Sequence, residues 1–268
     1  MAARAPATTL TNVIPLKRAG RARDHAGVRP CATIPSMTKH RCWLRATRVV
    51  LLAASIGFGH AQSGEGVTKK LLIDNEFVRV FDIRVSPGVF EAKHSHARGI
   101  TIALSDFTND ATSPDGKVSR GQAKFGDVRW AEPVTHEARN TGTTEQHVIR
   151  IELKTDQPPS DSHVATGASD DLDSLIACKE TQKLLFENQF VRAIDDRIPG
   201  GVAEPKHRHA HGLTITLADW DSETVTYPGS QMSRRHATLG EVRWTEPLIH
   251  EVRNVGQTES HTVRIELK

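Results

Sequence analysis

Histidines are the residues of this chain whose spacing could do chemistry. His94 and His96 stand one residue apart, as do His207 and His209, and each pair is followed downstream by another histidine, His136 and His250. On a β-strand, residues two apart share a face, so each pair can aim two imidazoles at one point. A third imidazole from a neighbouring strand completes a facial set able to hold a divalent metal. His94, His96 and His136 are therefore one candidate metal cluster, and His207, His209 and His250 are the other. A ligand pocket without metal and a hydrogen-bonded structural cluster are the alternatives. His147 and His261 are candidate catalytic residues, as a fourth ligand or a proton-transfer group, with pocket lining as the alternative.

The elements that position these histidines are duplicated. KLLIDNEFVRVFDIRVSPGVFEAKHSH, from Lys70, returns as KLLFENQFVRAIDDRIPGGVAEPKHRH, from Lys183, and GDVRWAEPVTHEARN with HVIRIELK returns as GEVRWTEPLIHEVRN with HTVRIELK. A period of about 113 residues is the size of a small domain and far too long for a solenoid repeat. The first unit spans 67–154, a linker with a short helix spans 155–182, and the second unit spans 183–268. FVRVFDIRV, GITIALSDF and HVIRIELK are strand candidates, with breaks at Ser86-Pro87-Gly88, Ser113-Pro114-Asp115-Gly116 and Asn140-Thr141-Gly142. Many short strands at this spacing indicate an antiparallel sandwich or barrel. In HVIRIELK, His147 shares a face with Ile149, Ile151 and Leu153, which is expected to be the inward one, and His261 repeats this. Thr155 to Asp171 is Pro/Ser/Asp/Gly-rich linker, and a helix around Asp171 to Thr181 is expected to pack between the units. Asn140 and Asn254 read as turn residues, Glu137 and Glu251 point to the face opposite their neighbouring histidines, and His163 and His236 read as surface residues.

Residues 1–61 read as a leader. Within 37–61 a basic stretch precedes an apolar run from Val49 to Gly59 and small residues before Gln62, the build of a secretory signal peptide. An organelle transit peptide and an uncleaved anchor are the alternatives. Of 35 Lys+Arg and 32 Asp+Glu, ten and one lie before Gln62, leaving 25 and 31, a formal charge of −6. The pI of about 8.8 then belongs to the leader, and the cationic footprint of nucleic-acid binding is missing. Cleavage near Ala61 implies a periplasmic or secreted protein with no membrane anchor in its mature form. Cys178 is the one cysteine after Ala61, so an intramolecular disulfide is excluded there.

Gly88, His94 and His96 form G-x5-H-x-H, repeated by Gly201, His207 and His209. Downstream, Gly126, Pro133, His136 and Asn140 match Gly240, Pro247, His250 and Asn254. These motifs resemble those of the cupin superfamily, and the likeness covers nearly the whole chain after the leader as a two-domain bicupin. The resemblance implies an all-β fold of tandem double-stranded β-helix (jelly-roll) barrels whose histidines bind a divalent metal. The family's usual glutamate ligand is replaced by Ile100 and Thr101 and by Leu213 and Thr214, and the second motif lacks its internal glycine. A three-histidine site still accommodates Fe, Mn, Zn or Ni and keeps positions for water, oxygen or a chelating substrate. Arg98, Thr101, Trp130, His211, Thr214 and Trp244 are candidate pocket residues. For the two tryptophans, core packing is the alternative. Arg98 stands where the second copy has His211, so the second site is expected to bind metal at least as tightly as the first.

Three functions are compatible with these residues. The first is a metal-dependent enzyme, oxygen-using and dioxygenase-like, acting on a small molecule. The second is a non-enzymatic small-ligand-binding or stress-response module, and the third is a metal-dependent isomerase or hydrolase. The partner is a small molecule, and the two-barrel arrangement is self-sufficient as a monomer, with a homodimer or higher symmetric assembly as the alternative.

Overall fold

Alternating β-branched and polar residues become strand in both repeats. The computed structural model describes residues 62–155 and 171–268; the leader, most of the linker and His163 lie outside the described residues. In the first repeat the strands are β1 (Gln62–Gly64), β2 (Val67–Asp74), β3 (Val78–Val85), β4 (Phe90–His96), β5 (Gly99–Ala103), β6 (Phe107–Thr112), β7 (Val118–Ala123), β8 (Val128–Ala131), β9 (Val134–Asn140) and β10 (Gln146–Leu153). A one-turn helix, α1 (Ser174–Ala177), precedes the second repeat. That repeat comprises β11 (Gln182–Glu187), β12 (Val191–Asp196), β13 (Ala203–His209), β14 (Gly212–Ala218), β15 (Trp220–Tyr227), β16 (Gln231–Ala237), β17 (Val242–Thr245), β18 (Leu248–Asn254) and β19 (His261–Leu267).

The first repeat folds into a six-stranded sheet, β1-β2-β3-β10-β5-β8, and a four-stranded sheet, β4-β9-β6-β7. The second repeats this as β11-β12-β19-β14-β17 and β13-β18-β15-β16. All named strands pair antiparallel. This corrects the barrel expected from the resemblance. No sheet closes on itself, because the ladders end at β1 and β8, or β11 and β17, without joining the facing four strands. Each repeat is a pair of open sheets with a cavity between them.

The inward face expected for the closing strand is also corrected. Ile149, Ile151 and Leu153 join Val78, Val80, Ile100 and Ile102 in one continuous core with Val191, Leu213, Ile215, Val263, Ile265 and Leu267 of the second repeat. The dry side of each large sheet therefore faces the other repeat. Its opposite side, carrying Val148, Arg150 and Glu152 or Thr262, Arg264 and Glu266, faces the site within its own repeat. Burying each Val, Leu or Ile contributes about 1.5–3 kcal/mol, so this shared layer is the main apolar bond between the repeats. It is bordered by two ring stacks, Phe77 on Trp244 and Trp130 on Phe190, each with centroids 5.5 Å apart.

Helix α1 is shorter than expected. Asp173 caps it by accepting a hydrogen bond from the Leu175 N–H. It packs on β13 and β11 of the second repeat. Asp173 also accepts a hydrogen bond from Arg192, and the Arg208 N–H donates to the Leu172 carbonyl, which ties this segment to the second repeat.

Candidate metal centre

Paired strands bring each expected histidine trio together. His94 lies opposite His136 in the β4–β9 ladder, and His207 lies opposite His250 in β13–β18. In both cases the register slips just before the first histidine, between Glu91 and His94 and between Glu204 and His207. Such a bulge re-aims the side chains that follow it. His136 Nε2 lies 3.1 Å from His94 Nε2, and His207 Nε2 lies 2.9 Å from His250 Nε2 and 3.1 Å from His209 Nε2. The ligand atoms of each trio all fall within 4.8 Å of one another.

The outer ring nitrogens fix the tautomers. His94 Nδ1 lies 2.8 Å from the Ala92 carbonyl, and His207 Nδ1 lies 2.7 Å from that of Pro205. His96 Nδ1 lies 3.0 Å from Glu152, and His209 Nδ1 lies 2.6 Å from Glu266. A carbonyl or carboxylate oxygen can only accept, so each Nδ1 carries the proton and each Nε2 turns a lone pair toward the centre. The lone pairs of His207 and His209, 3.1 Å apart, repel unless a cation lies between them. Metal–imidazole bonds of about 2.0–2.1 Å at right angles put neighbouring nitrogens about 3.0 Å apart, so the trios fit a divalent metal. Burial disfavours the charged form of His136, His209 and His250. The pKa of His136 falls to about 4 through desolvation and the nearby His94, His96 and Arg150, and that of His209 falls to about 4 because desolvation outweighs Glu266. Burial also pushes His250 well down.

The sequence reading missed the carboxylates. Glu152 and Glu266, on the closing strands, hold His96 and His209; Glu266 is fully buried. Against burial, which raises it, its pKa falls to about 2 through its bond to His209 and the charges of Arg264 and Arg192. The signal was the repeated Arg-x-Glu of RIELK, assigned to the wrong face of its strand. Beside each trio stands a buried arginine. Arg150 donates to Thr101 and the Ala97 carbonyl; Arg264 donates to Thr214, Thr245 and the Ala210 carbonyl. The Nε of each is buried without a hydrogen-bond acceptor. The second repeat adds a further Cys178, Glu204 and His207 cluster, with Cys178 Sγ 3.2 Å from His207 Nδ1. Burial, Glu204 and Asp196 raise the Cys178 thiol pKa, and burial beside Glu204 raises that of Asp196.

Other expected site residues lie elsewhere. His147 pairs with Asp82 at 3.0 Å and His261 with Asp195 at 2.7 Å, on the strand face turned toward the other repeat. His261 Cε1 is 3.7 Å from where a Cβ on Gly126 would stand. Neither reaches a trio, so neither is a fourth ligand. Arg98 lies over the Phe190 ring, 4.5 Å from its centroid, and His211 packs beside Phe77 and Trp244. Strand β13 ends at His209, which turns His211 off the shared face. The charge argument for unequal metal affinity therefore loses its premise. Thr101 and Thr214 do line the cavities, Trp130 borders the first, and Trp244 serves the inter-repeat stack.

The cavities measure about 720 Å³ in the first repeat and about 330 Å³ in the second. Comparison with protein-family models and with curated proteins gave no match. Solved structures do match. AerE from Microcystis aeruginosa superposes with a TM-score of 0.56 at 12% identity, covering 76% of this chain and 94% of AerE. A Lactobacillus farciminis oxalate decarboxylase gives 0.53 at 11%, covering 78% and 83%. A variant of the Bacillus subtilis oxalate decarboxylase gives 0.55 at 10%, covering 78% and 74%. The chain shares the two-domain fold of these structures. At these identities the likeness is one of fold alone, and the candidate metal clusters rest on the chain's own residues.

Proposed function

We propose that this bicupin is a metal-dependent enzyme acting on a small carboxylate-bearing molecule, with an oxidoreductase as the primary reading. The observation that carries the metal is the convergence of Nε2 lone pairs, with tautomers fixed by Ala92, Glu152, Pro205 and Glu266. His94, His96 and His136 would hold one ion and His207, His209 and His250 the other. When bound, the ion supplies Lewis acidity and, if it is iron or manganese, one-electron chemistry. The histidines occupy one side of the centre and leave the cavity side for substrate. Arg150 and Arg264, which line the two cavities, would provide the cationic anchor for a carboxylate, and the cavity walls exclude water around it.

A second reading, a metal-assisted lyase of the decarboxylase type, is favoured by the second pocket. Asp196, whose pKa is raised by burial and by the nearby Glu204, lines that pocket as a candidate proton donor. Anaerobic reconstitution with Fe(II) or Mn(II), metal counting, and oxygen-uptake and carbon-dioxide assays on a panel of small carboxylates separate the readings. Oxygen consumption supports the oxidoreductase, and carbon dioxide release without it supports the lyase. Metal binding without turnover leaves a ligand-binding module, and absence of metal after reconstitution sinks the proposal. The leader reading makes the protein periplasmic or secreted, which fractionation of expressing cells tests.

A further inference from the structure

The two cavities share their histidines and their arginine but not their walls. Ile83, Ala103, Ala131 and Val148 line the first cavity. At the equivalent positions of the second stand Asp196, Thr216, Thr245 and Thr262, which line it in turn. Apolar surface has been exchanged for hydrogen-bonding surface at every one of these places. Size changes as well, since Thr216, Thr245 and Leu248 are each larger than Ala103, Ala131 and Val134, and the second cavity is the smaller at about 330 Å³ against about 720 Å³. The cations differ too. Arg129 of the first cavity is committed to Asp127 and the Gln122 carbonyl, both at 2.6 Å. Its counterpart Arg243 lines the second cavity and makes no hydrogen bond or ion pair among the described residues.

We propose that the pockets bind different classes of ligand: the first an amphipathic monocarboxylate with an apolar tail, the second a compact hydroxylated dicarboxylate. This rests on the anionic-ligand reading given above and deepens it. In the second pocket Arg243 adds an uncommitted cation beside Arg264, whose guanidinium also serves Thr214, Thr245 and the Ala210 carbonyl, and the remaining threonine hydroxyls meet ligand hydroxyls. An apolar tail there would strip these polar groups of water and return nothing, a penalty that rejects the wrong ligand strongly. In the first pocket the apolar wall and larger volume accommodate the tail, and a second carboxylate would find no uncommitted Arg129.

The test is titration calorimetry on the full chain, with and without reconstituted metal, using tartrate and 4-phenylbutyrate as probes. Each probe is expected to bind at one equivalent, and saturation with one should leave the affinity for the other unchanged. The pair Thr216→Ala and Thr262→Val should weaken tartrate by about tenfold and leave 4-phenylbutyrate unaffected, and Ala103→Thr with Val148→Thr should do the reverse. Competition between the probes on the unaltered chain, or either probe occupying both pockets with one affinity, overturns the inference even where the substituted chains fail to fold. Metal counting on the same samples keeps the two claims apart. Selective binding that persists in a chain unable to take metal upholds the division of ligands while refuting the metal centre.

Discussion

At the scale of single residues, the carboxylate behind one imidazole of each trio does the most for the candidate site. Glu152 and Glu266 lock His96 and His209 in the tautomer that exposes Nε2, and they raise its basicity. Glu266→Gln and Glu152→Gln are each expected to weaken metal binding at the affected site by about 10–100-fold, measured by competition against a chelator. Acid should act through the same groups. His136 and His209 titrate near 4 in the folded protein, below the ordinary 6.5, so the unfolded chain binds more protons in that interval. Their contribution to stability is present above pH 6.5 and lost as pH falls toward 4. Glu266, with its pKa lowered to about 2, loses its contribution from 4.5 downward. Metal-free protein should therefore show a melting temperature that falls steadily from pH 7 to pH 4. The six histidines were legible because spacing of two on a strand is a geometric statement. Glu152 and Glu266 were not, because both faces of their strand are buried, and hydrophobicity alone favours the drier one as inward.

At the scale of elements, close approach and turn bonding fix the ladders that carry the ligands. A Cβ on Gly99 would stand 1.9 Å from the Ile151 carbonyl oxygen, and one on Gly212 would stand 1.9 Å from that of Ile265. Gly212→Ala must push β14 off β19 and is expected to cost about 3 kcal/mol or more, read by urea denaturation. Asn254 is buried and donates through Nδ2 to the Ile198 and Thr258 carbonyls, while its Oδ1 accepts from the Gly256 N–H. Asn140 makes the same set with Val85, Thr144 and Gly142. Asn254→Ala leaves these buried groups unpaired and should cost about 2–4 kcal/mol, while a shift of the metal-binding curve at unchanged fold would contradict the turn role. These turns were readable from the Asn-x-Gly pattern. The bulges before His94 and His207 were not, since an extra residue in a ladder has no composition of its own.

At the scale of the whole molecule, the shared core decides behaviour. The duplication was plain in the sequence, but which face of each unit meets the other was not, because a two-fold arrangement leaves no local pattern. Residues 171–268 expressed alone would expose Val191, Leu213, Ile215, Val263, Ile265 and Leu267, and they are expected to dimerise or precipitate in size-exclusion chromatography. Trp244→Ala, which removes the stack on Phe77, should cost about 3 kcal/mol. One core drawn from both repeats also makes the chain a single cooperative unit, so neither half can melt while the other persists. Calorimetry should then show one transition, and occupancy of one pocket should protect amide hydrogens in the opposite half. A ligand at a hundred times its dissociation constant in the second pocket adds about 2.7 kcal/mol to the unfolding free energy of the whole. The first pocket shares in that gain without touching the ligand.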